Sequence, residues 1–167
     1  MSNNVKSLRN VKTLTSVAML IALSAVGAVI KLFGTVALDS MPGYFAALYL
    51  GGWYGAIVIS LGHIFTALTS GFPLGVAVHF YIAIQMAVYA YLFKFVYEKS
   101  NSFLAVIAGT LLNGPISTLL FVPLFGWGFF AGMCLPLTIG SFVNVLMAAL
   151  VYKAIARIGG VQIDRKI

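Results

Sequence analysis

The chain has 167 residues, of which 62% are hydrophobic and 8% are charged, and its formal net charge is +7. This composition excludes a soluble globular domain and is typical of a polytopic membrane protein. The basic residues lie mainly at the ends of apolar segments, as the cytoplasmic flanks of membrane helices do, and no basic face or reader-domain motif accompanies them. We therefore expect the lipid bilayer, and no nucleic acid, as a partner.

The chain begins with a basic tail, residues 1–12, followed by an apolar helix predicted over about 13–33. Ala18 and Ala22 lie four positions apart on this helix and form a small-xxx-small pair, which lets another helix approach its backbone closely. Two interpretations are open. The pair packs within the chain's own bundle, or it docks onto a separate membrane subunit.

Residues 34–41 are predicted to form a loop on the outer side of the membrane. Asp39 in this loop precedes Pro42, as an N-cap residue precedes an early helical proline, so capping of the next helix is its predicted role. Contact with a ligand is the alternative.

The apolar stretch 42–70 is too long for one crossing, because a single helix would reach roughly 43 Å against a hydrocarbon core of about 30 Å. Basic clusters before the first helix and at Lys94 and Lys99 should both be cytoplasmic, which requires an even number of crossings between them. We predict that the stretch folds back at the glycines of 51–55 into two short helices. Short crossings leave backbone polar groups that only protein or a water-filled cavity can satisfy, so a cavity is expected.

Two histidines lie in predicted membrane helices, His63 in the third (about 56–69) and His79 near the outer end of the fourth (about 74–97). An ionisable side chain inside a membrane helix is a candidate functional residue, and a hydrogen bond to a neighbouring helix is the alternative for each. His79 is preferred as a ligand contact because an imported solute arrives at the outer half. Gln85 lies about 240° around the helix from His79 and is not expected to face the same site.

The fifth helix, predicted over about 103–124, carries Thr110, Asn113 and Ser117 as one polar stripe beside a proline break at Pro115. Proline frees a carbonyl one turn back, and the Asn113 amide can donate and accept hydrogen bonds, so this stripe is the most site-like in the chain. An interhelical hydrogen bond is the alternative.

An aromatic loop is predicted at 125–130, where Trp127 anchors at the membrane interface or closes over a planar ligand. The sixth helix, about 131–157, carries Asn144 on a side shared with other small polar residues. The remaining residues, 158–167, are expected to form a cytoplasmic tail.

The predicted fold is therefore an all-α polytopic membrane protein with six transmembrane helices within 13–157 and both termini cytoplasmic. The sequence has no phosphate-binding glycine-rich loop, too few histidines for a structural zinc site and no acidic residue within the membrane. We expect no cofactor, no metal and no enzymatic activity. The cavity is expected to hold a neutral, partly aromatic solute whose transport draws energy from elsewhere.

Three function classes remain open at this point. The first is the solute-binding module of a multi-subunit, ATP-driven importer, and the second is a self-sufficient channel or facilitator. The third is an intramembrane enzyme with His63 or His79 as its base, which is least favoured because no acid partner is evident.

Several segments carry a family resemblance: Met41-Pro42-Gly43 after the outer loop, the LGGWYGA turn (50–56), Ser60-Leu-Gly-His63 and the GFPLGVAVH turn (71–79). With the basic tail and the alanine pair, they resemble the substrate-binding S components of energy-coupling factor (ECF) transporters. Segment 61–79 is similar to the branch for alpha-ribazole, a precursor of vitamin B12. Branches for a thiamine pyrimidine precursor and for pyridoxine-type compounds stay open.

The resemblance implies a subunit of the bacterial cell membrane that captures a vitamin or vitamin precursor outside. It would associate with a T component and two cytoplasmic ATPases, and tip over in the bilayer to release its load inward. It implies that Ala18 and Ala22 contact the T component. It also places substrate contacts in the first outer loop and in the outer halves of helices four to six. With His63 added, the predicted substrate-binding residues are Asp39, His63, His79, Asn113, Trp127 and Asn144.

Overall fold

Helices make up nearly all of the structure. A computed structural model describes residues 2–32 and 36–158. The elements in chain order are α1 (Ser2–Gly27), β1 (Lys31–Leu32), β2 (Val36–Ala37), α2 (Met41–Tyr49), α3 (Gly52–Thr69), α4 (Val76–Lys99), α5 (Ser102–Leu111), a π-helical segment (Leu112–Ile116), α6 (Ser117–Leu120) and α7 (Val122–Ile158).

Four of the described helical segments are long and apolar enough to cross a membrane. They are α3, α4, the continuous run Ser102–Leu120 and α7, and α1 adds a shorter apolar part, Val11–Gly27. These lengths confirm the prediction of an all-α polytopic membrane protein. The sidedness of the two ends stays a prediction.

The first helix ends earlier than predicted, at Gly27, and is followed by a two-strand hairpin in which Lys31 pairs with Ala37. A Cβ on Gly27 would lie 2.2 Å from the carbonyl oxygen of Leu38, so only glycine allows the returning chain to pass this closely. At the other end α1 begins at Ser2, so the described part of the predicted tail is helical. The predicted C-terminal tail lies outside the described residues after Ile158.

The predicted fold-back is confirmed at Gly51, which has a φ of 124° and separates α2 from α3. Only nine residues long, α2 spans about 13 Å at 1.5 Å per residue and cannot cross a bilayer by itself. Its residues 42–47 are buried instead, and Tyr44 packs edge-on against Phe93 of α4 with ring centroids 5.2 Å apart. The other helices therefore cover this short helix, as expected for a short segment whose backbone polar groups need protein or water around them.

Two interruptions shape the helices that follow. Pro115 lies in the π-helical segment, where its missing N–H and its ring oppose a regular α-helical turn. The predicted loop at 125–130 is shorter than expected: two helical segments of α7 meet at a kink at Gly126, with a φ of 76°, and residues 127–130 are helical. The aromatic side chains there hold the kink together, because Phe129 packs on Phe125 and Phe121 with centroids 5.1 and 6.0 Å apart.

The two ends of the bundle differ in charge. Lys94, Lys99, Lys153 and Arg157 lie near the carboxyl ends of α4 and α7, which share one end of the bundle. There Lys94 pairs with Glu98, one turn further along α4. At the opposite end, where α3 ends and α4 begins, the bundle contains a cavity.

Candidate functional site

A cavity of about 360 Å³ opens among α3, α4, the π-helical segment, α6 and α7 at the end away from Lys94, Lys99, Lys153 and Arg157. This volume lies within the range of small-molecule sites. Much of its wall is apolar and is supplied by Ile82, Met86, Phe121, Phe129, Met133 and Leu137. Polar side chains interrupt this wall at a few defined places.

Five of the six predicted substrate-binding residues line this cavity, although they come from five parts of the chain. They are Asp39, His63, His79, Asn113 and Asn144. Trp127 lies outside the lining; its side chain is 68% exposed and packs against Phe130. Gln85 also lies outside the lining, as its angle from His79 predicted. Substrate contact by the lining residues stays a prediction.

Asp39 lies in the short loop before α2 and is buried. The capping prediction was wrong: the N-cap residue of α2 is Ser40, which makes no side-chain cap. The loop turns inward, so the Asp39 carboxylate meets α3 and accepts a hydrogen bond from the Thr66 hydroxyl. Its main-chain carbonyl accepts another from Ser24 of α1. Burial raises the pKa of Asp39 from 3.8 to about 6, against the smaller lowering effect of its hydrogen bonds.

The two histidines meet across the turn between α3 and α4. His63 Nε2 and His79 Nδ1 are 3.2 Å apart, and the ring centroids are 5.3 Å apart. The backbone N–H of Leu74 donates to His79 Nε2 at 3.5 Å. Sequence reasoning preferred His79, whereas the structure brings both rings to the cavity wall as one unit.

Asn113 reaches the cavity from the π-helical segment. Its Nδ2 donates to the Ser141 hydroxyl of α7 at 2.9 Å, so the predicted interhelical hydrogen bond is present. A Cβ on Gly114 would lie 2.7 Å from Thr138 Oγ1, and this close approach brings the two helices within hydrogen-bonding distance. The side-chain oxygen of Asn113, Oδ1, has no partner among the described residues and remains available as an acceptor.

The side-chain amide of Asn144 forms hydrogen bonds with other groups of the protein. Its Nδ2 donates to the carbonyl oxygens of Ala37 (3.1 Å) and Gly140 (2.9 Å). Its Oδ1 accepts from the N–H of Met41 at 2.8 Å. Both amide hydrogens are therefore committed, and the geometry makes Asn144 a positioning residue that holds both ends of the loop from Ala37 to Met41.

Ser24 and Thr66 complete the support of this loop, and sequence reasoning missed both. A Cβ on Gly62 would lie 2.2 Å from Ser24 Oγ, so α1 packs against α3 where a side chain is absent. Small hydroxyl residues inside apolar helices often bond to their own helix, so the sequence carries no signal for these long-range partners.

The alanine pair of α1 does not pack within the bundle, because both Ala18 and Ala22 are exposed. Met19 and Val26 near them on α1 are 68% and 62% exposed. Internal packing, the first interpretation of the pair, is therefore wrong. Docking onto another subunit stays a prediction.

A bundle of membrane-length helices with a small-molecule cavity at one end has the construction of a membrane solute-binding subunit. The family model described as "ECF transporter, substrate-specific component" matches residues 12–156, and the chain belongs to this family. The resemblance seen in the sequence is thereby confirmed. No curated protein and no solved structure matches. The chain is a multi-pass membrane protein and the substrate-binding subunit of an ECF importer.

Proposed function

We propose that this chain captures a neutral, partly aromatic vitamin or vitamin precursor from outside the cell, with alpha-ribazole as the substrate. The observation that carries the proposal is the separation of charge along the bundle. The cavity lies at the end away from the four basic side chains, and under the positive-inside rule that end faces outward.

The lining disfavours an anionic ligand. Among the described residues, neither lysine nor arginine lines the cavity, and the one carboxylate, that of Asp39, is already met by Thr66. An anion in such a site would lose its hydration without gaining a counter-ion, which is costly. Phe121 and Phe129 offer aromatic faces and edges to a flat ring.

Alpha-ribazole suits this lining because it joins a flat benzimidazole to a ribose with several hydroxyl groups. The histidine pair and the Asn113–Ser141 pair provide two separate sets of hydrogen-bonding groups for such a molecule. A thiamine pyrimidine precursor and a pyridoxine-type compound have the same chemistry in a smaller size, and they are the competing substrates.

Transport would require partners, because the sequence has no nucleotide-binding loop of its own. We propose a T component and two cytoplasmic ATPases as these partners, with the exposed Ala18–Ala22 face of α1 as the docking surface. Small residues favour close helix contact in lipid, where hydrophobicity supplies no driving force between helices.

The substrate is tested on the purified chain in lipid nanodiscs. Mass spectrometry identifies what co-purifies, and calorimetry measures binding of alpha-ribazole. Asn113→Ala should weaken binding by roughly tenfold or more, because the ligand loses a partner in a buried site. Thr110→Val is the matched control: it is buried on the same helical run, but its hydroxyl has no partner among the described residues and lies outside the cavity lining. Equal effects of the two variants, or no binding of alpha-ribazole by the parent chain, would contradict the proposal.

The importer is separated from a self-sufficient facilitator by two measurements. Proteoliposomes that hold this chain alone should not accumulate alpha-ribazole, and uptake without the partners would favour the facilitator. Ala18→Trp should prevent co-purification with the T component while leaving alpha-ribazole binding unchanged. Ile84→Trp, at a 65% exposed position on α4, is the control that should assemble normally.

A further inference from the structure

We infer that His63 and His79 form a fixed hydrogen-bond relay that presents His63 Nδ1–H as a donor to an acceptor atom on the ligand. This inference rests on the proposed function for the name of the ligand. The relay itself follows from the contacts of three residues and does not depend on which ligand binds.

The relay begins at the backbone of Leu74. Its N–H can only donate, and it makes a long contact of 3.5 Å with His79 Nε2, which favours the tautomer with a lone pair on that nitrogen. An imidazole with a lone pair on one nitrogen carries its hydrogen on the other. The hydrogen of His79 is therefore on Nδ1.

The second step passes to His63. Because His79 Nδ1 carries the hydrogen, it donates across the 3.2 Å contact and His63 Nε2 accepts. His63 then carries its own hydrogen on Nδ1, and neither ring is an imidazolium. His63 lines the cavity, and its Nδ1 has no partner among the described residues.

The turn between α3 and α4 holds the start of the relay in place. Gly71, Phe72 and Gly75 have positive φ values of 74°, 49° and 86°. Phe72 is the only described residue other than glycine in this conformation, and its ring packs edge-on against His79, with centroids 5.7 Å apart. The turn thus directs the Leu74 N–H and an aromatic edge at the same imidazole.

Because His63 Nδ1–H is a fixed donor, the ligand must place a hydrogen-bond acceptor opposite it. The ligand needs an acceptor atom at this wall, such as an unprotonated aromatic nitrogen, a carbonyl oxygen or a hydroxyl oxygen, and a protonated or alkylated ring nitrogen placed there would leave the N–H without an acceptor. The benzimidazole of alpha-ribazole has one such free ring nitrogen. Its ribose hydroxyls would then lie toward the Asn113 oxygen, which can accept hydrogen bonds.

The relay is tested without ligand by nitrogen-15 NMR of the histidine-labelled chain in nanodiscs. Both rings should be neutral and carry hydrogen on Nδ1, with His63→Asn and His79→Asn used to assign the signals. A hydrogen on Nε2 of His63, or a charged ring at pH 7.5, would overturn the inference. This result is independent of whether alpha-ribazole is the substrate.

Recognition is tested with alpha-ribazole and its indole analogue, in which a C–H replaces the free ring nitrogen. The parent chain should bind the analogue roughly tenfold to a hundredfold more weakly. His63→Leu should remove this discrimination. His63→Asn, whose amide nitrogen replaces Nδ1, should keep most of it, and His63→Gln should keep less. Equal binding of the two compounds by the parent chain would overturn the inference. If neither compound binds, the substrate assignment fails and the NMR result alone decides the relay.

Discussion

Replacement of Asn144 by alanine should detach the loop from Ala37 to Met41. Asn144 is 2% exposed and makes two hydrogen bonds to this loop, to the Ala37 carbonyl and from the Met41 N–H. The Met41 N–H is in the first turn of α2 and has no acceptor within that helix, so the Asn144 oxygen is its partner.

The expected magnitude follows from these two groups. A buried polar group that loses its partner costs about 1 to 3 kcal/mol, so the pair costs about 2 to 6 kcal/mol when it is not rescued by water. The bond to Gly140 adds little, because that carbonyl belongs to the regular α7 ladder. Even the lower value corresponds to a roughly thirtyfold rise in the open population of the loop. Affinity for ligand should fall, since Asp39 and Ser40 of this loop line the cavity.

Hydrogen–deuterium exchange of the peptide that contains Met41 measures the opening directly, and calorimetry measures affinity. Asn101→Ala is the matched control. Asn101 caps α5 by accepting from the Leu104 N–H at 2.9 Å, at the end of the bundle away from the cavity. Loss of this cap should lower the free energy of unfolding by about 1 kcal/mol without changing the rate of hydrogen–deuterium exchange at Met41. If Asn144→Ala leaves exchange at Met41 unchanged, the positioning role is refuted.

Two further predictions concern the same loop. Because burial raises the pKa of Asp39 to about 6, its contribution to stability is complete below pH 3.8 and is lost as pH rises through 6. Lowering the pH from 7 to 5 should therefore stabilise the ligand-free parent chain by about 1.4 kcal/mol more than it stabilises the Asp39→Asn variant. The melting temperature of the parent should accordingly rise more than that of the variant. Equal changes in melting temperature would contradict the raised pKa of Asp39. Gly62→Ala should lower the melting temperature, because its Cβ would lie 2.2 Å from Ser24 Oγ. Gly132→Ala on α7, where a Cβ meets nothing within 4 Å, should be neutral or slightly stabilising, and similar losses in both would argue against the packing account.

Much of the fold could be predicted because it follows from the length and composition of each segment and from the count of membrane crossings. Segment lengths, glycine breaks and the parity of crossings between basic clusters together required the fold-back that Gly51 makes. In the aromatic stretch 125–130 the predicted break exists, but it is shorter than the predicted loop. The glycines of this stretch resemble a loop, but only Gly126 adopts a non-helical conformation, and tertiary packing of phenylalanines keeps the rest helical.

The candidate site was predictable in its residue types but not in their partners. Polar side chains in a largely apolar sequence are conspicuous, and five of the six predicted substrate-binding residues line the cavity. What each one bonds to depends on contacts far apart in sequence, such as Asn144 with Ala37 and Thr66 with Asp39. Sequence spacing on a single helix carries no information about such pairs, so a positioning residue and a contact residue look alike.

The shortness of α2 sets an order for biogenesis. Nine residues cannot partition into lipid as an independent span, and the loop that precedes them is fastened by Asn144 of α7, the last described helix to be synthesised. The amino-terminal third of the chain therefore reaches its native arrangement only after the final helix has been inserted. A ribosome stalled before α7 would leave α2 without the partner that holds it.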